Sequence, residues 1–476
     1  MITPISTNPA GSPAQQSFRS IYVWLAASAG ALGGLLFGYD WVVIGGAKPF
    51  YERYFHLDSP ALEGWAMSCA VIGCLIGAIS SGALANRFGR KRLLTLAALV
   101  FALSSLGTGL AARFPVFVLW RIMGGCAIGL ASGVSPMYIA EISPARLRGR
   151  LVALNQLAIV LGILLAQVVN WLIARPVPLG ATAQEILVSW NGQWAWRWMF
   201  AVTAIPAALF LVASLLVPES PRWLASRGRN RQALDVLERL GSRADAQQVM
   251  DDFAAAARRP HRSILRELSS PGMAKLLLLG VVLAVLQQWC GINVIFNYAQ
   301  EIFSQAGYQV SDILFNIVVT GAVNVLFTLL ALAFIDRFGR RFLLIVGVSG
   351  LILVYAALGL LYRLHIQGLP MLILVLAAIA CYAMSLAPVV WVVIAEIFPN
   401  RVRGGAMSIA ITALWSACFL LIYTFPLMNA ALGAAGTFWS YAGICLAGLV
   451  FLYFELPETR GKTLEEMESL AVDDRL

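Results

Sequence analysis

Charge is scarce in this chain of 476 residues: Asp, Glu, Lys and Arg together make up 12% of it, while 60% is hydrophobic. Soluble proteins carry about twice that share of charge. Folding alone cannot hide so much apolar side chain from water, so the surrounding solvent has to be lipid. Histidine is nearly absent. His56, His261 and His365 lie far apart in polar connections, which gives no basis for a histidine metal centre or histidine catalysis. The seven cysteines all sit in apolar runs, with neither metal-ligand spacing nor a disulfide framework, and read as small buried hydrophobes. A phosphate loop is missing too. Gly461-Lys462-Thr463 ends like one, but Leu456 takes the place of its first glycine and an apolar run, not a strand, precedes it. Nucleotide-driven work, cofactor chemistry and an enzyme's nucleophile–base set are thereby set aside. The net charge of +10 does not point to nucleic acid, because the basic residues are spread over alternate connections rather than gathered in one patch.

What the chain has in abundance is apolar runs of spanning length. Twelve occur, at about 21–44, 61–85, 93–112, 115–140, 151–174, 195–217, 274–304, 312–335, 342–363, 370–395, 404–428 and 436–455. Each supplies the roughly 20 residues needed to cross a hydrocarbon core about 30 Å thick. In lipid each must be a helix, since free backbone groups find no partner there. One long polar segment, 222–273, separates six runs from six, and its stretches RQALDVLERL and ADAQQVMDDFAAAARR predict a helical linker domain. Landmarks before it return after it. RFGR at Arg87–Arg90 recurs at Arg337–Arg340, AEISPARLRG ending at Gly149 recurs as AEIFPNRVRG ending at Gly404, and PES at Pro218–Ser220 recurs as PET at Pro457–Thr459, with offsets of 250, 255 and 239. The chain therefore reads as an all-α membrane protein, its twelve transmembrane helices forming two six-helix bundles related by an internal repeat. The expected units are a tail 1–18, a first bundle 19–221, the linker domain 222–273, a second bundle 274–456 and a tail 457–476.

The connections after runs 2, 4 and 8 carry Arg87, Arg90, Lys91 and Arg92, then Arg146, Arg148 and Arg150, then Arg337, Arg340 and Arg341. The connection after run 1 is poorer, with Lys48 and Arg53 balanced by Glu52 and Asp58. Basic connections stay in the cytoplasm, so the linker and both termini are expected there. Arg87, Glu141 and Arg148 cluster at these ends, and Arg337, Glu396 and Arg403 repeat them. Helix capping would use such residues. Their recurrence favours a cytoplasmic gate in which Glu141–Arg148 and Glu396–Arg403 are breakable ion pairs. Two charges lie deeper: Asp40 is the one acid, and Arg121 the one base, well inside a run. A lone charge there costs several kcal/mol, so each calls for a partner. At about 1.5 Å per residue along oppositely directed runs, both fall in the outer third of the membrane.

GGLLFGYD (33–40), NRFGRK (86–91), PESPRW (218–223), QQWCGIN (287–293), DRFGRR (336–341) and PETRG (457–461) together resemble the sugar porter family of the major facilitator superfamily, over essentially the whole chain. The stretch AMSLAPVVWVVIAEIFPNRVRG (383–404) is most similar to that family's bacterial xylose/proton symporter branch. The resemblance implies alternating access around a midmembrane sugar site in a bacterial inner membrane. The expected partners are a monosaccharide, a proton and the lipid bilayer, and the expected state is a monomer without cofactor. It also implies sugar-binding roles for Gln156, Gln287, Gln288, Asn293, Asn324, Trp391 and Trp415, with Phe37 beside them. At the position of Asp40 the glucose facilitators have Asn, so the resemblance favours proton coupling.

Run 7 argues for the same place on its own residues. It carries Gln287, Gln288, Asn293 and Asn297. On a straight helix Gln288 and Asn293 would point about 140° apart. A break at Gly291 lets them share a cavity, and broken helices are tolerated where they line one. Amide glue between helices is the ordinary alternative, but four amides at one break favour a site. Trp391 and Trp415 lie inside runs rather than at the interfaces where Trp is usual. A bend at Pro388 and an indole face against the C–H face of a sugar ring suit both, plain packing being the alternative. Three positions depart from the family: Asn297 stands where Tyr is usual, Leu414 where Gln or Asn is, and Ile163 where the xylose symporters have Gln. A hexose is therefore as much expected as a pentose. The reading is a proton-coupled monosaccharide symporter; an uncoupled facilitator, a drug/proton antiporter and a transport-like sugar sensor are its rivals.

Overall fold

A computed structural model describes residues 20–144, 147–178, 182–257, 271–308, 310–398 and 402–458. The apolar runs are helical, as hydrocarbon requires. Spans 1 to 6 are Ser20–Phe55, Pro60–Phe88, Arg90–Leu110, Phe114–Ile142, Arg148–Ile173 and Asn191–Leu216. Span 7 is in pieces, Pro271–Trp289, Ile292–Asn297 and Ala299–Gln305. Span 8 is Val310–Phe338 and span 9 is Arg340–Arg363, while span 10 divides into Leu369–Met384 and Leu386–Ile397. Spans 11 and 12 share the helical stretch Arg403–Glu455, which turns at Gly433 with φ of 68°.

The three repeated sequence landmarks are one device, built twice. Span 3 begins after Gly89, and the Glu219 carboxylate of PES accepts from the backbone N–H of Arg90 and Lys91 at 2.8 and 3.1 Å. Span 9 begins after Gly339, and the Glu458 carboxylate of PET accepts from Arg340 and Arg341 at 3.0 and 3.1 Å. Carboxylates at a helix N-terminus satisfy its free donors and oppose its dipole. Both glycines have positive φ, 97° and 88°, and a Cβ at Gly339 would lie 2.7 Å from Glu458 Oε2. The arginine ending each RFGR then reaches the acid of each AEI: Arg90 Nη2 donates to Glu141 Oε1 at 2.9 Å, and Arg340 Nη2 to Glu396 Oε1 at 3.0 Å. Each half is thus pinned within itself.

Small residues let helices approach closely, as is usual in lipid. Gly73, Gly77, Gly125 and Gly129 bring spans 2 and 4 into backbone contact. Between halves, span 2 packs along span 11 and span 5 along span 8. The linker contributes helices Pro221–Ser226, Asn230–Leu240 and Arg243–Ala257. The second buries Ala233, Val236, Leu237 and Leu240, one face at helical spacing. Trp223 Nε1 and Arg227 Nη2 both donate to the Asn86 carbonyl at 2.9 Å, fixing the linker to the end of span 2. The expected tail 1–18, linker residues 258–270 and tail residues 459–476 lie outside the described residues.

Candidate functional site

Span 7 breaks at Gly291, whose φ of 85° lies in the left-handed region. Glycine takes that conformation at no steric cost. The break turns the two sets of amides onto one another: Asn293 Nδ2 donates to Gln288 Oε1, and Asn297 Nδ2 donates to the Asn293 carbonyl at 2.9 Å. Gln287 Nε2 reaches span 10, donating to the carbonyls of Leu386 and Ala387 at 3.1 and 3.3 Å. All four amides are buried. Span 10 was expected to bend at Pro388; it breaks instead at Ser385. Proline has no N–H to give the carbonyl four residues back and crowds it, so the first helix ends at that residue, Met384.

Rings close the site from the other half. Phe37 and Trp41 of span 1 lie 5.8 Å apart, and their centroids are 5.7 and 6.0 Å from that of Trp415 on span 11. Trp41 Nε1 donates to Asn293 Oδ1 at 3.3 Å. Sequence reasoning missed Trp41, although the signal applied to Trp391 and Trp415, an indole inside a run, was present here too. Trp391 is half-buried on Leu386–Ile397, the helix whose first residues hold Gln287. Gln156 is half-buried on span 5 and Asn324 buried on span 8; among the described residues no hydrogen bond joins either to the amide group.

Asp40 and Arg121 meet as expected. Arg121 Nη1 donates to Asp40 Oδ1 at 2.6 Å, both residues are buried, and the guanidinium lies 5.3 Å from the Phe200 ring centroid. They are not the only deep charges. Lys48, assigned above to a polar connection, lies within the helix of span 1 and is 2% exposed. Its ammonium pairs with Glu52 at 2.7 Å, with Glu63 at 3.6 Å and with Glu301 of the second half. Three carboxylates that would otherwise repel therefore converge on one tethered cation.

At the linker end the first of the two expected charged pairs differs from expectation. Glu141 pairs with Arg90 rather than Arg148, which is exposed. Glu396 pairs with Arg340, and the Arg403 side chain lies outside the described residues. Arg87 and Arg337 stand over Phe88 and Phe338, at 5.3 and 5.8 Å from the ring centroids. The reason is geometric. Residues Arg90 and Arg340 open spans 3 and 9 directly beside the acids, whereas Arg148 opens the next helix beyond a turn.

Two repeated bundles with a buried polar seam between them define a multi-pass membrane carrier. The chain belongs to the "Sugar (and other) transporter" family, whose pattern it matches over residues 26–471. It is 38% identical to the glucose transport protein of Synechocystis sp. (strain PCC 6803), across 97% of this chain and 100% of the relative. It is 37% identical to the D-xylose-proton symporter of Escherichia coli (strain K12), across 95% and 96%. The inward-open conformation of the xylose transporter from E. coli superimposes with a TM-score of 0.82 at 36% identity, covering 94% of this chain and 99% of that one.

Proposed function

We propose that this protein is a proton-coupled monosaccharide symporter of a bacterial inner membrane, working by alternating access. The observation that carries this is the buried Asp40–Arg121 pair, one residue away from a site built of amides and indoles. A carboxylate and guanidinium that approach and separate with conformation take up and release a proton in step. Gln287, Gln288, Asn293 and Asn297 supply donors and acceptors for sugar hydroxyls, while Trp415, Trp391 and Phe37 supply apolar faces. Gln156 and Asn324 complete the site from spans 5 and 8. An uncoupled facilitator has no use for a buried ion pair, which costs more to desolvate than a packed apolar pair.

The basic linker end is the cytoplasmic one. Contacts near the other end, Lys48–Glu301 and the Trp171–Phe315 ring pair at 5.9 Å, join the halves. They suit a conformation shut to the outside. Arg87, Arg148, Arg337 and Arg403 form the cytoplasmic gate when the halves rock the other way, while Glu141 and Glu396 stay paired with Arg90 and Arg340 within their own halves. The substrate class is settled by uptake of labelled D-xylose, L-arabinose, D-glucose and D-galactose into cells lacking their own sugar carriers. One or more should accumulate and be lost on adding a protonophore. Uptake of none, or uptake indifferent to the protonophore, contradicts the reading.

A further inference from the structure

Span 1 presents a single stripe to the second half of the molecule. Phe37, Trp41, Gly45 and Lys48 are spaced four, four and three residues apart, which is one helix face. Phe37 meets Trp415; Trp41 meets Trp415 and Asn293; a Cβ at Gly45 would lie 2.9 Å from the Asn297 carbonyl oxygen; and Lys48 meets Glu301. Asp40 is turned about 100° from Trp41, into the first half and onto Arg121. Two consecutive residues thus hold the two halves through one helix.

The Asn293 amide is spoken for at both ends. Its oxygen accepts from Trp41, and its nitrogen donates to Gln288. An indole is a donor only, whereas a sugar hydroxyl both donates and accepts. A hydroxyl that seats on the Asn293 oxygen in the place the indole N–H now holds displaces Trp41 and removes the polar tie between spans 1 and 7 at this level. Resting on the symporter reading above, we infer that Trp41 is the positioning residue for coupling: its bond to Asn293 seats span 1 against the second half, and sugar, by replacing that bond, frees the neighbouring Asp40 to change its relation to Arg121.

Coupling of this kind is reciprocal, so whatever sugar does to proton affinity, protons do equally to sugar affinity. The groups around Asp40 are Arg121 on span 4, Cys69 and Cys74 on span 2 and Tyr39 on span 1. Free thiols and phenols titrate above about 8, so none of the thiol and phenol neighbours changes charge between about pH 5.5 and pH 7.5.

The test measures labelled-sugar binding to the purified full-length protein across that range. D-xylose and D-glucose serve as probes. The parent should show an affinity that changes with pH by about tenfold, and Asp40→Asn should show none. Trp41→Phe, which keeps an aromatic ring but lacks the N–H, should compress the change to less than about threefold, and Trp41→Gln, which restores an N–H donor that does not titrate, should recover part of it. Should Trp41→Phe fail to fold, Trp41→Met, which also lacks a donor at this position, should compress the change likewise. If Trp41→Phe binds more weakly at every pH but keeps the parent's full pH dependence, Trp41 only packs and the inference fails while symport stands. If parent and Asp40→Asn are equally flat, the symporter reading fails, and this inference with it.

Discussion

The two ends of the molecule use charge in opposite ways. At the linker end, Arg90–Glu141 and Arg340–Glu396 each join helices of one half, and the same device occurs twice. At the far end, Lys48 joins Glu52 and Glu63 of its own half to Glu301 of the other. A pair inside one half survives any rocking of the halves, whereas a pair between halves has to break for the far end to open. Duplicated motifs therefore keep the two bodies rigid. The unduplicated lysine marks where they part, and a search for repeats passes it over.

Arg90→Met attacks a within-half pair. Both side chains of that pair are 8% exposed, so Glu141 would be left buried beside an apolar neighbour. Stranding a buried partner costs about 3–5 kcal/mol. The expected result is a large fall in thermal stability of the purified protein, with distances between spin labels on spans 1 and 7 at the far end unchanged in the folded fraction. Lys48→Met attacks the between-half tie. Glu52, Glu63 and Glu301 are 17%, 30% and 20% exposed, so water recovers part of the loss, and a shift of about 2 kcal/mol toward the far-open form is expected. The same label pair should then report a second, longer distance. A Lys48→Met protein with the parent's single distance would erase the contrast between the two ends. Arg340→Met should do least, about 1 kcal/mol, because Glu396 is 31% exposed and stays hydrated. Equal losses from Arg90→Met and Arg340→Met would show that sequence repetition, not burial, sets the energy.

Much of this was legible in the sequence because lipid enforces simple rules. Span length fixed the twelve helices, and Gly291 with its flanking amides revealed the break in span 7. The need to neutralise a deep charge paired Asp40 with Arg121. Less legible were the features that depend on how helices face one another. Glu141 and Arg148 looked like partners by closeness in the chain, but Arg148 is exposed at the start of span 5 and Arg90 lies beside the acid. Lys48 looked like a loop residue because the apolar run ended before it, whereas the helix runs on to Phe55. Trp41 carried the same buried-indole signal as Trp415, yet only the fold shows that its N–H crosses to Asn293.

The central claim is that Asp40 turns a proton gradient into sugar accumulation. A membrane potential supplies about 2.3 kcal/mol per charge per 100 mV, and each pH unit about 1.4 kcal/mol, enough together for roughly five-hundredfold accumulation. Asparagine has the shape of the protonated acid but cannot release a proton, so Asp40→Asn should fold and bind sugar. The deciding measurement is sugar accumulation in proteoliposomes under an imposed proton gradient. The parent should concentrate sugar and lose it on adding a protonophore, and Asp40→Asn should equilibrate sugar without concentrating it. A variant that still accumulates sugar, with the same collapse on adding the protonophore, would contradict the account.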